Sequence, residues 1–296
     1  MEMNCIAGIT TYNPNLERLK QNVAAISNQV DKVLIVDNGS DNIDEIEKLS
    51  LTYNNIVTIK NKKNMGIAFA MNRIGEYAFQ QGYEWFMTLD QDSICPENLI
   101  STYFKYVKDN VGIIAPYIHF NSSFILSLMH LNKRTTEERD DVREVKYVIS
   151  SGQFIQTKAW KKVDGFWEYL FIDYVDQEFC FHITREGYKI LQVNNIELDH
   201  EPGIEVKIFG ISTAKQSAMR EYYWARNSRL VFWLYKREYM NAIGKQPIIS
   251  TSKRIANSIL VRENVGDKLR AIFKGVRDSY RWKKEYLNHG RVPDKL

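Results

Sequence analysis

The sequence contains little cysteine and no long apolar run. Its 296 residues include three cysteines, Cys5, Cys95 and Cys180, which form no paired motif and therefore favour a reducing compartment over a disulfide scaffold. No apolar run approaches the roughly 18 residues that span a bilayer, and the first residues lack the basic and apolar pattern of a secretory signal. We therefore expect a cytoplasmic protein, soluble or peripheral at the inner face of the cell membrane.

Positive charge is scarce in the first part of the chain and concentrated in the last. Residues 236–296 carry 15 Lys and Arg against 6 Asp and Glu, whereas residues 1–235 carry 25 against 30. This asymmetry predicts two regions, a domain over residues 1–235 and a basic helical C-terminal extension over residues 236–296. The hydrophobic fraction of 44% is ample for a buried core, so disorder is not the default interpretation.

The basic extension has few aromatic residues between its charges, which argues against a nucleic-acid partner. Apolar residues recur among its Lys and Arg side chains in an amphipathic pattern: Ile255, Ile259, Leu269, Ile272, Phe273 and Val276. Such a helix can lie on an anionic membrane, so residues 250–286 are a candidate peripheral membrane contact. The same pattern fits a helix that packs on its own domain or on a second copy in a homodimer.

Signals for strands and helices alternate along the first half of the chain. They predict an α/β fold with a mostly parallel, Rossmann-like sheet flanked by helices. The predicted strands are residues 5–10, 32–36, 55–60, 85–89, 112–117 and 195–200. Residues 147–157 are predicted as a further strand, interrupted by small residues. The charged stretch 121–146 lacks clean periodicity, and we interpret it as an insertion that forms a loop over the site.

Polar residues cluster where the predicted strands end. Those that follow the first, second and fourth strands are Thr10, Thr11, Asn13, Asp37, Asn38, Asp90, Gln91 and Asp92, and His200 closes the last strand. In an open α/β sheet, ligands bind beyond the carboxyl ends of the strands. One such cluster is an ordinary turn, but several on one rim predict a binding site.

Asp90 and Asp92 lie two positions apart just after an apolar strand, so their carboxylates can point to one side. Two hard oxygen ligands suit Mg²⁺ or Mn²⁺, with diphosphate oxygens and water completing an octahedron. His200 is a further candidate contact for the metal or the diphosphate. A solvated Asp-rich turn and a strand-end histidine without a ligand are the alternatives.

Several individual residues are candidates for chemistry. Asp37 can accept a hydrogen bond from the imide N–H of uracil or thymine, or stabilise an Asp-Asn-Gly turn. Asp173 and Asp176 can share a face if their segment is helical, and Asp176 is the preferred general base for an acceptor hydroxyl. Acids that stabilise a helix start are the alternative there. Arg226 and Asn227 together can clamp a phosphate, and a surface position of the arginine is the alternative.

Seven motifs occur in a fixed order along residues 4–235. They are Thr-Tyr-Asn-Pro at 11–14, Val-Asp-Asn-Gly-Ser at 36–40, Asn-Met-Gly-Ile-Ala at 64–68, Leu-Asp-Gln-Asp-Ser at 89–93, Ser-Ser-Gly at 150–152, Phe-Ile-Asp-Tyr-Val-Asp-Gln-Glu-Phe-Cys at 171–180 and Asp-His at 199–200. This succession resembles the family-two inverting glycosyltransferases. The versions at 90–93 and 171–176 are similar to those of bacterial rhamnosyltransferases of O-antigen and capsule assembly.

The resemblance implies a GT-A fold and a set of site residues. In it, Thr11, Asn13 and Asp37 contact the base and ribose, Asp90 contacts the ribose or sugar, Asp92 binds the metal, and Asp176 is the catalytic base. The predicted donor contacts also include Thr10, Asn38, Asn64, Gly66, Gln91 and Arg226. Two positions depart from the family pattern: Val175 replaces the Glu that precedes the base, and His182 stands where many relatives have Arg.

The sequence thus predicts a metal-dependent inverting glycosyltransferase. The favoured donor is dTDP-rhamnose, and the acceptor is a glycan or a polyprenyl-diphosphate-linked oligosaccharide. A UDP-hexose donor is the alternative within the family. A sugar nucleotidyltransferase is a second enzymatic alternative, although residues 8–15 lack its Gly-rich basic phosphate loop. A non-catalytic carbohydrate-binding protein is the non-enzymatic alternative.

Overall fold

The computed structural model describes residues 4–118, 141–199, 205–208, 211–214 and 216–289. In these residues eight strands form one sheet: β1 (Cys5–Thr11), β2 (Lys32–Asp37), β3 (Ile56–Lys60), β4 (Trp85–Asp90), β5 (Val111–Ile118), β6 (Val142–Glu144), β7 (Gln153–Gln156) and β8 (Lys189–Leu198). Their order across the sheet is β3-β2-β1-β4-β7-β5-β8-β6. Strands β3, β2, β1 and β4 pair in parallel, as do β5 and β8, whereas β7 and β6 pair antiparallel with their neighbours. The predicted mostly parallel α/β sheet is confirmed.

The central strands are buried along nearly their whole length, as expected for parallel strands covered on both faces. Helix α3 (Ile67–Gln80) packs closely on β1 at Gly8. A Cβ atom on Gly8 would lie 2.3 Å from Ile74 Cδ1, so no larger residue fits without moving the helix. This close approach fixes the position of α3 relative to the strand that carries Thr10 and Thr11.

The other helices of the described residues follow in chain order. They are α1 (Leu16–Ser27), α2 (Ile43–Ser50), α4 (Leu99–Tyr103), α5 (Thr157–Lys162), α6 (Val175–Arg185), α7 (Ala218–Leu234), α8 (Lys236–Ile243), α9 (Pro247–Val261) and α10 (Val265–His289). Short 3₁₀ turns occupy Phe104–Tyr106 and Glu168–Leu170, and β9 (Glu205–Ile208) pairs with β10 (Ile211–Ala214). Helix α1 begins after Asn15, whose side chain accepts a 3.1 Å hydrogen bond from Arg18 N.

The chain forms two compact units. The first contains the described parts of Met1–His119, Thr135–Glu168 and Phe179–Glu201, and therefore the eight-stranded sheet. Of the described residues, the second contains Tyr169–Glu178 and those of Pro202–Leu296, including the C-terminal helices. Helix α7 packs along α10 in this second unit. The domain boundary expected from charge at residue 235 stays a prediction.

Two predicted elements have other bounds than expected. In the segment 147–157 only Gln153–Gln156 is a strand, because Thr157 already begins helix α5. The last strand begins at Lys189 rather than 195, since its residues pair with β5 from Lys189 onward. His200 and most of the insertion 121–146 lie outside the described residues. In the described part of the insertion, Val142–Glu144 forms the edge strand β6. Among the helices that the structure describes, none is long and apolar enough to cross a membrane.

Candidate functional site

The carboxyl ends of β2, β1 and β4 lie side by side in the first unit. In the parallel register, Thr11 pairs with Asp37 on β2, and Thr10 pairs with Asp90 on β4. The three predicted strand-end clusters therefore meet at one edge of the sheet. This edge is where an open α/β sheet binds its ligands.

Asp37 holds this edge together from within. Its side chain is only 1% exposed, and Oδ1 accepts hydrogen bonds from Thr11 Oγ1 at 3.0 Å and from Ser40 Oγ. Oδ2 accepts from the backbone N–H groups of Gly39 and Ser40, each at 2.9 Å. A carboxylate offers about four lone-pair sites, so these four donors fill its capacity. The predicted contact of Asp37 with a base N–H would need one of them to leave, and the geometry favours a structural role.

Asn38 connects the end of β2 to the start of helix α3. Its Oδ1 accepts from Asn61 Nδ2 at 3.1 Å and Met65 N at 3.2 Å, and its Nδ2 donates to Gly66 O at 3.0 Å. Asn64 Oδ1 accepts from Gly66 N at 2.9 Å. Gly66 precedes α3 with φ 91° and ψ 161°, a conformation that is essentially limited to glycine. The predicted pair Asn64 and Gly66 thus shapes the loop that leads into the helix.

More accessible side chains surround these buried ones. Tyr12 is 48% exposed, and its backbone N–H donates to Gln91 Oε1 at 2.8 Å, which ties the β1 loop to the acidic triplet. Asn13 is exposed with φ 48°, and its Oδ1 accepts from Asp41 N at 2.8 Å. Thr10 is half-buried beside Asp90. These residues, rather than Thr11, Asp37 and Asn38, offer side chains that a ligand can reach.

The acidic triplet 90–92 is fixed through its backbone. Asn22 Nδ2 donates to Asp90 O at 2.7 Å, and Asp90 N donates to Ser151 Oγ at 3.2 Å. Arg18 Nε donates to Asp92 O at 2.7 Å. Ser93, directly after the triplet, shares a 2.6 Å hydroxyl hydrogen bond with Ser151. Bonds from two separate chain segments, helix α1 and the segment that contains Ser151, therefore determine where the two carboxylates lie.

In the second unit, helix α6 begins at Val175, so Asp176 lies in its first turn. Asp173 precedes the helix with φ 63°, and Arg220 Nη2 forms a 2.7 Å ion pair with its Oδ1. The expectation that Asp173 and Asp176 share a helical face is wrong, because Asp173 has left-handed backbone geometry outside the helix. Asp176 is the one of the two on α6.

Arg226 is 5% exposed in the second unit, where its guanidinium lies over the ring of Tyr169, 4.2 Å from the centroid. Its Nη2 donates to Tyr169 O, and its Nε donates to Asn227 Oδ1 at 2.9 Å. These contacts point to a structural role in place of the predicted phosphate clamp, because a buried guanidinium engaged with carbonyls has little left for a ligand.

Comparison with known proteins identifies the family. The model of glycosyl transferase family 2 matches residues 7–161, more than half of the chain. The chain is also 31% identical over 245 residues to the dTDP-rhamnosyl transferase RfbF of Shigella flexneri, covering 78% of this chain and 80% of the relative. The chain belongs to glycosyl transferase family 2.

Solved structures support the fold of this family 2 member. TarS 1–349 of S. aureus in complex with UDP-GlcNAc matches with a TM-score of 0.57 at 16% identity, over 97% of this chain and 92% of TarS. GalNAc-T7 with UDP, GalNAc and Mn²⁺ matches with a TM-score of 0.53 at 13% identity, over 88% of this chain and 58% of that protein. The GT-A fold expected from the motifs is confirmed.

Members of glycosyl transferase family 2 typically use a divalent metal ion. The side chains of the acidic triplet therefore need to be suitable ligands for such an ion. Asp90 and Asp92 offer the hard carboxylate oxygens that Mg²⁺ and Mn²⁺ prefer, and both ions keep water and substrate oxygens in their shell. Within the described residues no group of three or more His, Cys, Asp and Glu side chains forms a metal cluster. Asp199 pairs with Ile94, just beyond the triplet, and His200 follows it outside the described residues. The donor set therefore fits a metal that shares its shell with a diphosphate.

Two residues that hold the acidic triplet were not predicted from the sequence. Arg18 and Asn22 lie on α1, and their side chains donate to the carbonyl oxygens of Asp92 and Asp90. In the second unit, Asn227 on α7 was predicted with Arg226 as a phosphate clamp, but its Nδ2 donates to carbonyl oxygens of the loop before Asp176. Arg18 and Asn22 are four residues apart on one helix face, which is a local signal. Their targets lie far away in sequence, so no pattern in one sequence identifies the contact.

Proposed function

We propose that this glycosyltransferase transfers L-rhamnose from dTDP-rhamnose to a hydroxyl of a glycan or a lipid-linked oligosaccharide during synthesis of a bacterial surface polysaccharide. The observation that carries the donor assignment is the 31% identity over most of the chain to a dTDP-rhamnosyl transferase. The joined ends of β1, β2 and β4 support it, because they bring two carboxylates and several polar groups to the edge where nucleotides bind.

The donor contacts divide into two groups by exposure. Thr10, Asn13, Asn64 and Gln91 contact the nucleotide or the sugar, since their side chains are at least partly accessible. Thr11, Asp37, Asn38 and Gly66 hold the strand ends and the loop before α3 in shape. Asp90 binds the ribose or the sugar, and it is also a candidate ligand of the metal.

The leaving group is the nucleoside diphosphate. Asp92, with Asp90 and His200, would hold Mg²⁺ or Mn²⁺, and the bound ion would supply positive charge to offset the charge of the departing diphosphate. The bonds from Arg18 and Asn22 keep the two carboxylates in place during the reaction. A fixed ligand set lowers the reorganisation that the transition state requires.

Asp176 is the general base. Its carboxylate takes the proton from the acceptor hydroxyl as the acceptor oxygen bonds to the anomeric carbon. The bond from that carbon to the diphosphate oxygen breaks on the opposite face, so the anomeric configuration inverts in one displacement. No covalent enzyme intermediate forms, and no nucleophilic Ser or Cys takes part.

A panel of dTDP-, UDP- and GDP-sugars with Mn²⁺ or Mg²⁺, read as release of nucleoside diphosphate, tests this function. We expect the largest rate with dTDP-rhamnose, and the largest rate with a UDP-hexose would replace the rhamnosyl assignment. Asp92→Asn and Asp176→Asn should each lower transfer at least about 100-fold. Asp109→Asn is the matched control, because Asp109 is exposed just before β5 and has no proposed role in the reaction. Sugar-polymer binding that persists with chelator and without nucleotide, with no transfer, would instead indicate a lectin.

Helix α9 supports a peripheral contact with the membrane. Its outward side chains include Ile248, Ile249, Ile259 and Leu260, which are 66%, 49%, 52% and 54% exposed. Its inward residues are largely small and hydroxylated: Pro247, Ser250, Thr251 and Ser258. The helix carries the exposed Lys253 and no acidic residue, whereas Arg254 forms a 3.1 Å ion pair with the buried Glu221. An apolar surface with positive charge is what an anionic bilayer attracts.

Helix α10 has a second surface of this kind. Phe273, Tyr280 and Leu287 are spaced by seven residues and are 61%, 58% and 68% exposed. Arg277 and Lys284 are exposed four residues after Phe273 and Tyr280, so the stripe combines apolar and basic side chains. The opposite side of α10 packs on α7. An anionic membrane that carries the acceptor fits both surfaces.

Flotation with liposomes tests this contact. The protein should bind vesicles that contain anionic lipid and not neutral vesicles, and binding should fall with added salt. Joint substitution of Ile248, Ile249, Ile259 and Leu260 by Ser should weaken flotation, whereas Leu51→Ser, at a residue 85% exposed in the first unit, should not change it. Flotation that is unchanged, with a dimer that the same substitutions dissociate, would assign this surface to a second copy.

A further inference from the structure

The loop before helix α6 has an uncommon backbone. Phe171, Asp173 and Tyr174 have φ angles of 64°, 63° and 65°, so three of four consecutive residues are left-handed although none is glycine. L-residues disfavour this region because Cβ approaches the backbone carbonyl. Such a loop persists only when surrounding groups hold it, and strain of this kind is often found at functional sites.

Asn227 is the group that holds it. This side chain of helix α7 is fully buried, and its Nδ2 donates to three carbonyl oxygens of the loop: Leu170 O at 2.8 Å, Ile172 O at 2.8 Å and Asp173 O at 2.9 Å. An amide NH₂ has two hydrogens, so three acceptors share them. A loop in the ordinary right-handed or extended conformation would not bring these carbonyls to one nitrogen.

Two arginines of the same helix complete the attachment. Arg226 Nε donates to Asn227 Oδ1 at 2.9 Å, which orients the amide so that its NH₂ faces the loop. Arg220 lies seven residues before Asn227, two helical turns away, and contacts both carboxylate oxygens of Asp173 at 2.7 and 3.4 Å. Helix α7 therefore holds the loop through its backbone and through one of its side chains.

We infer that Asn227, together with Arg220, is a positioning residue for the reaction. It keeps Phe171, Asp173 and Tyr174 left-handed, and this fixes the first turn of α6, where Asp176 lies three residues after Asp173. Without it the loop relaxes toward right-handed geometry and Asp176 moves away from the acceptor hydroxyl. The inference rests on the proposed role of Asp176 as the base.

A double-mutant cycle tests this role. Asn227→Ala should lower kcat about 10- to 100-fold while the KM for the nucleotide-sugar changes less than about twofold, because misplacement of the base affects the chemical step. In the Asp176→Asn background the same change should have no further effect, since the base is already absent. Ser228→Ala is the matched control: Ser228 is equally buried, and its Oγ donates to Ala225 O within its own helix.

The outcomes separate the inference from the proposed function. Suppose that Asp176→Asn lowers transfer, and that Asn227→Ala lowers kcat by the same factor in the unchanged protein and in the Asp176→Asn background. Asn227 then does not act through Asp176, and the inference fails. Unchanged kcat in a folded Asn227→Ala protein also refutes it. Full transfer by Asp176→Asn refutes the base itself, and with it the positioning role.

A second pair of variants applies if Asn227→Ala does not fold. Arg220 is 42% exposed, so Arg220→Gln can release Asp173 without opening the interior. We expect Arg220→Gln to lower kcat about tenfold. Arg220→Lys should restore only part of the loss, because it keeps the charge but not the planar fork, and in the Asp176→Asn background the Gln and Lys variants should not differ. Equal kcat for Arg220→Gln and the unchanged protein would overturn the inference.

Discussion

Arg18 Nε donates a 2.7 Å hydrogen bond to the carbonyl oxygen of Asp92. The same guanidinium forms a 3.1 Å ion pair with Asp199 at the end of β8. One side chain of α1 therefore connects the acidic triplet to the segment that leads into His200. A lysine cannot make both contacts in this geometry, because it presents one point charge instead of a planar fork.

Substitution of Arg18 should weaken metal-dependent donor binding. Arg18→Lys and Arg18→Gln remove the fork, so we expect the Mn²⁺ concentration for half-maximal activity to rise about tenfold, in the range found for residues that support metal ligands. Lys20→Gln is the control, since Lys20 is 53% exposed on the same helix and pairs with Glu17. Metal titration of nucleoside diphosphate release measures the effect. If the two Arg18 variants need the same Mn²⁺ concentration as the Lys20→Gln control, Arg18 does not have this role.

Asp37→Asn should lower stability more than it changes nucleotide choice. The substitution replaces one acceptor oxygen by an NH₂ group in a site where four donors converge, and a buried mismatched group costs about 1–3 kcal/mol. Thermal unfolding should show a Tm several degrees lower, whereas Asp41→Asn on the exposed side of the turn should leave it unchanged. A folded Asp37→Asn protein with normal Tm and lost preference among bases would restore the predicted base contact.

Much of the fold and the outline of the site follow from local sequence. Strands such as Lys32–Asp37 are continuous apolar runs that end in polar turns, and parallel strands must end at one edge, so the cluster of Thr10, Asp37 and Asp90 was predictable. The order of several motifs added the family, which no single turn could have indicated.

The roles inside the site were less predictable because they depend on distant partners. From the sequence, Asp37 is expected to be an accessible turn residue. In the structure, the hydroxyls of Thr11 and Ser40 donate hydrogen bonds to its carboxylate. Arg226 is of a residue type that often binds phosphate, yet the ring of Tyr169 covers its guanidinium. The left-handed loop at 171–174 contains no glycine, so the sequence carries no sign of it.

Gly66→Ala should disturb the loop before α3 and the donor site with it. At φ 91° and ψ 161° a Cβ atom is strained, at a cost of about 1–3 kcal/mol, and relief requires the loop to leave Asn38 and Asn64. We expect a raised KM for the nucleotide-sugar. Gly82→Ala is the matched control, because Gly82 also has a positive φ of 77° but meets nothing within 4 Å. Equal KM values for the two variants would show that the conformation of Gly66 does not affect donor binding.

The buried cysteines should make stability fall at alkaline pH. Burial, with Asp31 as a smaller contribution at Cys5, raises the pKa of Cys5 and of Cys95 from 9.0 to about 12. Well below pH 9 both thiols are protonated in the folded and unfolded chains, so they contribute no pH dependence there. Between about pH 9 and 12 only the unfolded chain loses these protons, which stabilises it and lowers the free energy of unfolding.

Urea unfolding at pH 8 and pH 10 measures this fall. The double variant Cys5→Ala/Cys95→Ala should lose less stability over the same interval, because it has neither thiol to ionise in the unfolded state. All three free cysteines are buried in the folded protein, so Ellman's reagent should leave them unmodified at pH 8 and react with them after denaturation. Rapid modification of the folded protein, or an equal pH effect in the double variant, would show that burial does not hold these thiols protonated.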